Sequence, residues 1–243
     1  MLFGLFSIEW AWYNTSRIHN VDEERESCFP AFRRLEAKHW RKWRHYPLAL
    51  TTYPMQCWFK IIIAPGTAAV SRLLTIGYKE RPFKGWRKWL IDVQFKGMNI
   101  LVLVVTKTIV SLEEIDDFDY SEWLGPGYKE KQVLPAQIAT HVGAPHSCWL
   151  DTTVTLVFEN HTFCVKKEGE NVPVLSGILH GNQSFFIDRT SGDVAVQQIR
   201  ERQDAGEKDT CNPPIMIYPE GSQGNGNYML PFKRGAFESL KPV

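Results

Sequence analysis

The chain of 243 residues is long enough for one α/β catalytic domain with an appendage, because domains usually run to roughly 100 to 200 residues. That length argues against a second full domain. Lys and Arg number 28 against 27 Asp and Glu, so the net charge of +1 predicts no affinity for nucleic acid. The five cysteines include no CxxC pair that would indicate zinc or a redox couple, so we interpret them as reduced thiols facing the cytosol.

The first predicted element is a stretch rich in basic and aromatic residues. Residues 32–46, FRRLEAKHWRKWRHY, place apolar and aromatic side chains at three- and four-residue spacing among six basic ones. This pattern predicts a basic amphipathic helix, which can lie in a lipid headgroup layer. The alternative is a solvated helix that packs on its own domain.

Uncharged runs follow within residues 47–78 and again at residues 97–106. None reaches the roughly 18 uninterrupted apolar residues expected of an ordinary membrane-spanning helix. A re-entrant helix pair with bends at Pro54 and Pro65 and a true span therefore both remain open. For the last run, the alternative is a buried core helix or strand.

The composition changes along the chain in a way that predicts three regions. Residues 1–112 are predicted to form an N-terminal membrane-associated helical region, and the acidic and Gly/Pro-rich residues 113–129 a linker. From residue 130 to 243, short apolar runs alternate with polar helical stretches, including a Gln- and Arg-rich helix near residues 194–206. This alternation is typical of an α/β fold.

The stretch APHSCWLD carries the first candidate chemistry, His146 followed five residues later by Asp151. Within one helix, five residues turn the side chains about 140° apart. The two can meet only if His146 lies in the turn before a helix and Asp151 in its first turn. The carboxylate would then fix the imidazole tautomer and leave the other nitrogen to take a proton. The alternative is a satisfied surface histidine.

Two further segments add ligand-binding chemistry. SFFIDR places Arg189 at the end of an apolar strand, where its guanidinium can bind a phosphate or form a structural salt bridge. YPEGSQGNGN follows another apolar strand with Glu220, Gly221 and Ser222, and its glycines allow backbone N–H groups to approach a ligand closely. A hairpin turn is the alternative explanation for those glycines.

In this order, the His-x4-Asp pattern, FIDR, YPEGS and LPFKRGAF resemble the glycerolipid acyltransferase family, particularly its lysophosphatidic acid and lysophosphatidylcholine acyltransferases. The resemblance covers about residues 130–240 and implies an α/β domain with an acyltransferase-type mixed sheet flanked by helices. The chain departs from the family pattern at Pro145, Cys148 and Gln223. The family's fourth motif is not reached, so a C-terminally truncated domain with an uncovered sheet edge is expected.

The resemblance implies an acyl-CoA-dependent O-acyltransferase of phospholipid biosynthesis or remodelling. It would move a fatty acyl group from acyl-CoA to the free hydroxyl of a lysophospholipid, of the lysophosphatidic acid or lysophosphatidylcholine type. His146 would deprotonate that hydroxyl, and Asp151 would hold the histidine. The residues that the resemblance assigns to the acceptor, through its phosphate or its glycerol portion, are Arg189, Glu220, Gly221 and Ser222.

The same resemblance implies acyl-CoA, a lysophospholipid and membrane lipid as partners, with no metal and no cofactor beyond the co-substrate. The expected location is a membrane, the endoplasmic reticulum, with the catalytic domain facing the cytosol. The main alternative is a membrane-associated protein that retains the fold with little or no activity. A serine hydrolase would need a GxSxG elbow, which the chain lacks. The spacing of its histidines matches no recognised metal-ligand pattern.

Overall fold

The computed structural model of the chain describes residues 2–16, 22–49, 51–78, 81–113, 119, 121–126, 138–187, 192–240 and 243. Most of the predicted linker and the start of the predicted catalytic domain lie outside the described residues. Within the linker, the short helix α6 (Ser121–Leu124) is described.

A parallel sheet forms the centre of the C-terminal half. Its strands are β1 (Thr140–Val142), β2 (Thr162–Lys166), β3 (Phe185–Ile187) and β4 (Ile215–Ile217). They lie in the order β1-β4-β2-β3, and all three pairings among the described residues are parallel. A mixed sheet was predicted. The described sheet is parallel because a helix connects each strand to the next, and such a crossover returns the chain in the same direction.

The three crossover helices are α7 (Leu150–Phe158), α8 (Pro173–Gly181) and α9 (Gly192–Lys208). The predicted Gln- and Arg-rich helix is confirmed as α9. All but the last two residues of the run TTVTLVFEN lie in α7, where Thr153 and Leu156 are buried three residues apart. That spacing places both side chains on one face of the helix, which is its buried face.

The N-terminal region begins with α1 (Leu2–Asn14) and α2 (Glu23–Cys28). The single amphipathic helix predicted over residues 32–46 is replaced by short 3₁₀ segments at Pro30–Phe32, Leu35–His39 and Lys42–Ala49. Extended backbone at Arg33 and Trp40 separates these segments and interrupts the helical hydrogen-bond ladder. The Tyr46 hydroxyl donates a hydrogen bond of 2.8 Å to Glu9 of α1, so the last segment packs on the first helix.

Two long apolar helical runs follow. The first comprises α3 (Thr52–Trp58), one π turn (Phe59–Ile63) and α4 (Ala64–Thr75), and the second is α5 (Gly85–Thr106). The first run continues through both prolines: Pro54 lies in its first turn, where a missing N–H is tolerated, and Pro65 lies just after the π turn. By length and composition alone, both runs could cross a membrane.

The first run also packs closely on the catalytic half. A Cβ atom at Gly177 of α8 would lie 3.0 Å from the Ala68 Cβ, and one at Gly181 would lie 2.7 Å from the Ser71 Cβ. The two glycines therefore let α4 and α8 approach each other at backbone distance. Helix α4 therefore packs directly on the half of the chain that holds the sheet.

Helix α5 is apolar on two faces. Its inner face buries Ile91 and Phe95 against Phe83. Its outer face exposes large apolar side chains that recur mostly at three- and four-residue spacing: Trp86, Trp89, Val93, Ile100 and Val104. An exposed apolar stripe of this kind marks a surface that contacts a partner or a membrane.

Candidate active site

The candidate site lies where β1 and β4 end. These strands are neighbours in a parallel sheet, so the loops that follow their carboxyl ends meet at one edge. The loop after β1 carries His146, and the loop after β4 carries Glu220, Gly221 and Ser222. Residues that are 74 positions apart in the chain are therefore placed in hydrogen-bonding distance.

His146 and Asp151 form a hydrogen-bonded pair. The His146 Nδ1 lies 2.9 Å from the Asp151 Oδ2, with His146 in the turn before α7 and Asp151 in its first turn. This is the predicted placement. Because the carboxylate accepts from Nδ1–H, it selects the tautomer in which Nε2 carries a lone pair. Nε2 is the nitrogen that can take a proton from a substrate.

Backbone donors hold the Asp151 carboxylate in place. Its Oδ2 accepts the N–H groups of Ser147 at 2.7 Å and of Cys148 at 3.0 Å, and its Oδ1 lies 3.2 Å from the Ser147 hydroxyl. Burial acts to raise the pKa of Asp151, but these N–H groups and the His146 ring outweigh it and lower the pKa below the ordinary 3.8. The carboxylate is ionised at neutral pH. At position 148 the support comes mainly from the backbone amide, which any residue other than proline supplies.

The imidazole plane is fixed by Tyr218. The two rings stack with centroids 4.1 Å apart and planes 19° from parallel. Gly143 makes room for this stack, because a Cβ atom there would lie 2.6 Å from the Tyr218 Cε1. Burial raises the pKa of Tyr218 to about 12, so the phenol is neutral. Neither Tyr218 nor Gly143 was predicted as a site residue from the sequence. The one local signal is that Gly143 directly precedes APHS, because a glycine allows a close approach of another group.

Glu220 joins the two loops. It is 3% exposed, its Oε1 accepts the His146 N–H at 2.8 Å, and its Oε2 accepts the Leu230 N–H at 2.9 Å. The Gly224 N–H in turn donates to the His146 carbonyl at 2.8 Å. One oxygen of Glu220 thus binds the loop that carries His146, and the other binds the chain at Leu230.

The glycine-rich loop does not fold into a hairpin between strands. Instead, Asn225 binds the N-terminal segment Pro30–Arg33. Its N–H donates to the Ala31 carbonyl at 2.8 Å, and its Nδ2 donates to the carbonyls of Pro30 at 2.9 Å and Arg33 at 2.7 Å. These long-range contacts tie the N-terminal region to the loop that holds His146.

A cavity of about 860 Å³ opens beside His146. One part of its wall is polar and includes His146, Gly221, Ser222 and Gln223. The remainder is largely apolar and is formed by α5, α7 and the sheet, with side chains that include Phe95, Met98, Val102, Leu156 and Phe163. The volume and lining suit a long apolar ligand whose polar end lies at His146.

A second cavity of about 320 Å³ shares the wall formed by Tyr218 and Gly221. Lys233 and Arg234 contribute to its lining. The Lys233 side chain lies against Gly221, since a Cβ atom at that glycine would be 2.8 Å from Nζ. Gly221 also has a φ of +67°, a left-handed backbone conformation that favours glycine. Lys233 therefore contacts Gly221, a residue that lines the same cavity as His146.

The structure brings five of the six sequence-predicted site residues together. His146, Gly221 and Ser222 line the larger cavity, while Asp151 and Glu220 support His146 from behind. Arg189 lies outside the described residues, two positions after the end of β3.

Comparison with known proteins assigns the region that holds these residues to a family. The profile of the family described as Acyltransferase matches residues 130–241, which contain every site residue named above except the Pro30–Arg33 segment and the α5 side chains. The C-terminal half belongs to the glycerolipid acyltransferase family. No solved structure matches the chain significantly.

The matches to two curated relatives are longer than the acyltransferase half and so extend into the N-terminal region. The chain is 33% identical to lysophospholipid acyltransferase LPCAT4 of Mus musculus over 173 residues, 70% of this chain and 30% of that protein. It is 33% identical to the Xenopus tropicalis LPCAT4 over 102 residues, covering 42% and 20%. It is 22% identical to lysophosphatidylcholine acyltransferase 1 of Danio rerio over 203 residues, covering 81% and 35%. The chain thus spans about a third or less of the length of these relatives.

Proposed function

We propose that the acyltransferase domain transfers a fatty acyl group from acyl-CoA to the free hydroxyl of a lysophospholipid. The observation that carries the proposal is the 2.9 Å contact between His146 and an ionised Asp151 at the polar end of a large apolar cavity. The names of the relatives, lysophospholipid and lysophosphatidylcholine acyltransferases, support the acceptor class.

In this reaction His146 acts as the general base. Its Nε2 takes the proton of the acceptor hydroxyl while that oxygen attacks the thioester carbonyl, and the ionised Asp151 stabilises the imidazolium that forms. The tetrahedral intermediate collapses with cleavage of the carbon–sulfur bond, and the proton passes to the leaving CoA thiolate. The hydroxyl of the substrate is the nucleophile, so no acyl-enzyme is required.

The two cavities support a proposed place for each substrate. The apolar wall of the larger cavity accommodates the fatty acyl chain, because burying each CH₂ group is favourable by about 0.8 kcal/mol. The smaller cavity, with Lys233 and Arg234, suits the phosphate of the acceptor. Arg189 is proposed to contribute to the same phosphate contact, as the family resemblance implies. Both cavities meet at Gly221, beside the imidazole that must reach the hydroxyl.

Replacing Glu220 with Gln is expected to lower kcat by about tenfold or more with little change in the KM for lysophospholipid. The amide offers one acceptor in place of two, so either the His146 N–H or the Leu230 N–H loses its partner. Steady-state kinetics at varied lysophospholipid, with a thermal unfolding curve to confirm folding, measures the effect. A raised KM with unchanged kcat would instead show that Glu220 contacts the acceptor, the role predicted from the sequence.

We also propose that the outer face of α5 rests on a membrane. Changing Trp86 and Trp89 together to Glu is expected to reduce the fraction of protein bound to phosphatidylcholine vesicles by at least about tenfold, because two large apolar side chains are lost from the contact. Vesicle flotation measures this fraction. The matched control is Val172→Glu with Val194→Glu, at two exposed apolar positions near α8 and α9. Equal loss of binding in both double variants would contradict an α5-specific contact.

A further inference from the structure

Three potential metal ligands meet outside the candidate active site. The His141 Nδ1 lies 2.9 Å from the His161 Nε2, and the Glu159 Oε2 lies 3.6 Å from each of these nitrogens. All three ligand atoms are within 4.8 Å of one another. The histidine spacing in the sequence predicted no metal site, and the cluster arises from the order of the strands.

The sheet register explains how the two imidazoles meet. β4 lies between β1 and β2, with Met216 paired to His141 on one side and to Phe163 on the other. His161 is two residues before Phe163, so its side chain points to the same face of the sheet as that of His141. Glu159 directly follows the last turn of α7.

The loop that carries two of the ligands is already fixed. The Glu159 N–H donates to the Thr155 carbonyl at 3.1 Å, and the Asn160 Nδ2 donates to the Asp92 carboxylate of α5. This anchoring holds the segment Glu159–His161 between α5 and the sheet. Ligands held on anchored backbone lose little freedom when an ion binds.

We propose that His141, Glu159 and His161 bind a divalent transition-metal ion of the zinc class, with water as the fourth ligand. In a tetrahedral site with metal–ligand bonds of about 2.0 to 2.2 Å, the ligand atoms lie about 3.3 Å apart. The observed separations of 2.9, 3.6 and 3.6 Å bracket that distance, so shifts of a few tenths of an ångström would complete the site.

The donor set and its exposure favour this class of ion. Two imidazoles and one carboxylate suit zinc and its neighbours, whereas calcium and magnesium prefer oxygen donors throughout. The Glu159 side chain is 49% exposed, which gives the ion a path from solvent and leaves space for the water.

The ion would act on stability rather than on acyl transfer. Glu159 lies eight residues beyond Asp151 along α7, a separation of about 12 Å. The three ligands come from β1, from the end of α7 and from the residue before β2. An ion bound to all three would hold the far end of α7 on the sheet, and with it the helix whose first turn carries Asp151.

The test uses the full chain in detergent, with any affinity tag removed, stripped by a chelator and then equilibrated with zinc chloride. Metal content after desalting is expected to be one zinc per chain higher in the parent than in His161→Gln. A zinc excess of about 100-fold over Kd is expected to raise the Tm of the parent by about 5 °C or more. Glu159→Ala is expected to weaken zinc binding at least about tenfold.

The matched control is His180→Gln, because His180 and Glu170 form a His–Glu pair 3.9 Å apart without a second histidine. This variant is expected to keep both the extra zinc and the rise in Tm. If His161→Gln does not fold, zinc binding is compared between the parent and Glu159→Ala, because Glu159 is half-exposed and its replacement should leave the fold intact. The proposal is overturned if the parent retains no zinc, or if the parent and Glu159→Ala bind zinc equally well.

Discussion

Replacing His146 with Ala is expected to lower the rate of acyl transfer by about 10² to 10⁴-fold, the range typical of losing a positioned general base. The Nε2 of this residue is the proton acceptor at the polar end of the larger cavity, because Nδ1 is held by Asp151. The side chain packs on Tyr218 at the rim of that cavity, so its loss should leave the fold intact. Release of the CoA thiol in the presence of a lysophospholipid measures the rate.

The matched control for this variant is His180→Ala. His180 is partly exposed on α8 and does not line the cavity beside His146. Its replacement is expected to change the rate by less than about twofold. A folded His146→Ala protein that retained a third or more of the parent rate would remove His146 from the role of base.

Asp151→Asn is expected to reduce the rate of acyl transfer by about 10²-fold or more. One oxygen of the carboxylate accepts from Nδ1 of His146 and from two backbone N–H groups, and an amide presents an N–H₂ donor at one of its two positions. If the N–H₂ group takes the place of Oδ2, these three hydrogen bonds are lost and the wrong imidazole tautomer is favoured; if the amide oxygen takes that place, the neutral group no longer stabilises the imidazolium by its charge. The KM for acyl-CoA is expected to change little.

The same substitution should alter stability in a pH-dependent way. The folded-state pKa of Asp151 is lower than its ordinary value, so the ionised carboxylate stabilises the fold above about pH 4, and this stabilisation is lost as the pH falls through the folded pKa. The free energy of unfolding of the parent should therefore exceed that of Asp151→Asn at pH 7 and converge with it in acid. Asp193→Asn, an exposed first-turn carboxylate of α9, is the matched control. A constant difference at every pH would contradict the inferred ionisation.

The placement of His146 and Asp151 could be predicted because helix geometry leaves one solution for a pair five residues apart. The contact between Glu220 and the His146 N–H could not, since it depends on β4 inserting beside β1. Strand order is set by long-range packing and leaves no local pattern in the sequence. The stack of Tyr218 on His146 and the meeting of His141 with His161 depend on the same insertion.

The N-terminal region shows the limit of periodicity. Apolar spacing in residues 32–46 predicted one helix, yet extended backbone at Arg33 and Trp40 divides the segment. The Arg33 carbonyl is bound by Asn225, a contact nearly 200 residues away in sequence. Tertiary hydrogen bonds of this kind outweigh the small differences in helix propensity that a local pattern reports.

Acyl transfer to lysophospholipids is the reaction that we propose for this chain. The most direct measurement incubates the purified protein in detergent or lipid vesicles with labelled acyl-CoA and a panel of lysophospholipids, and separates the products by thin-layer chromatography. The proposed function predicts a labelled diacyl phospholipid formed in equal amount to the CoA released, and its absence with His146→Ala. CoA release that yields free fatty acid alone, or a folded parent that consumes no acyl-CoA with any acceptor, would contradict it.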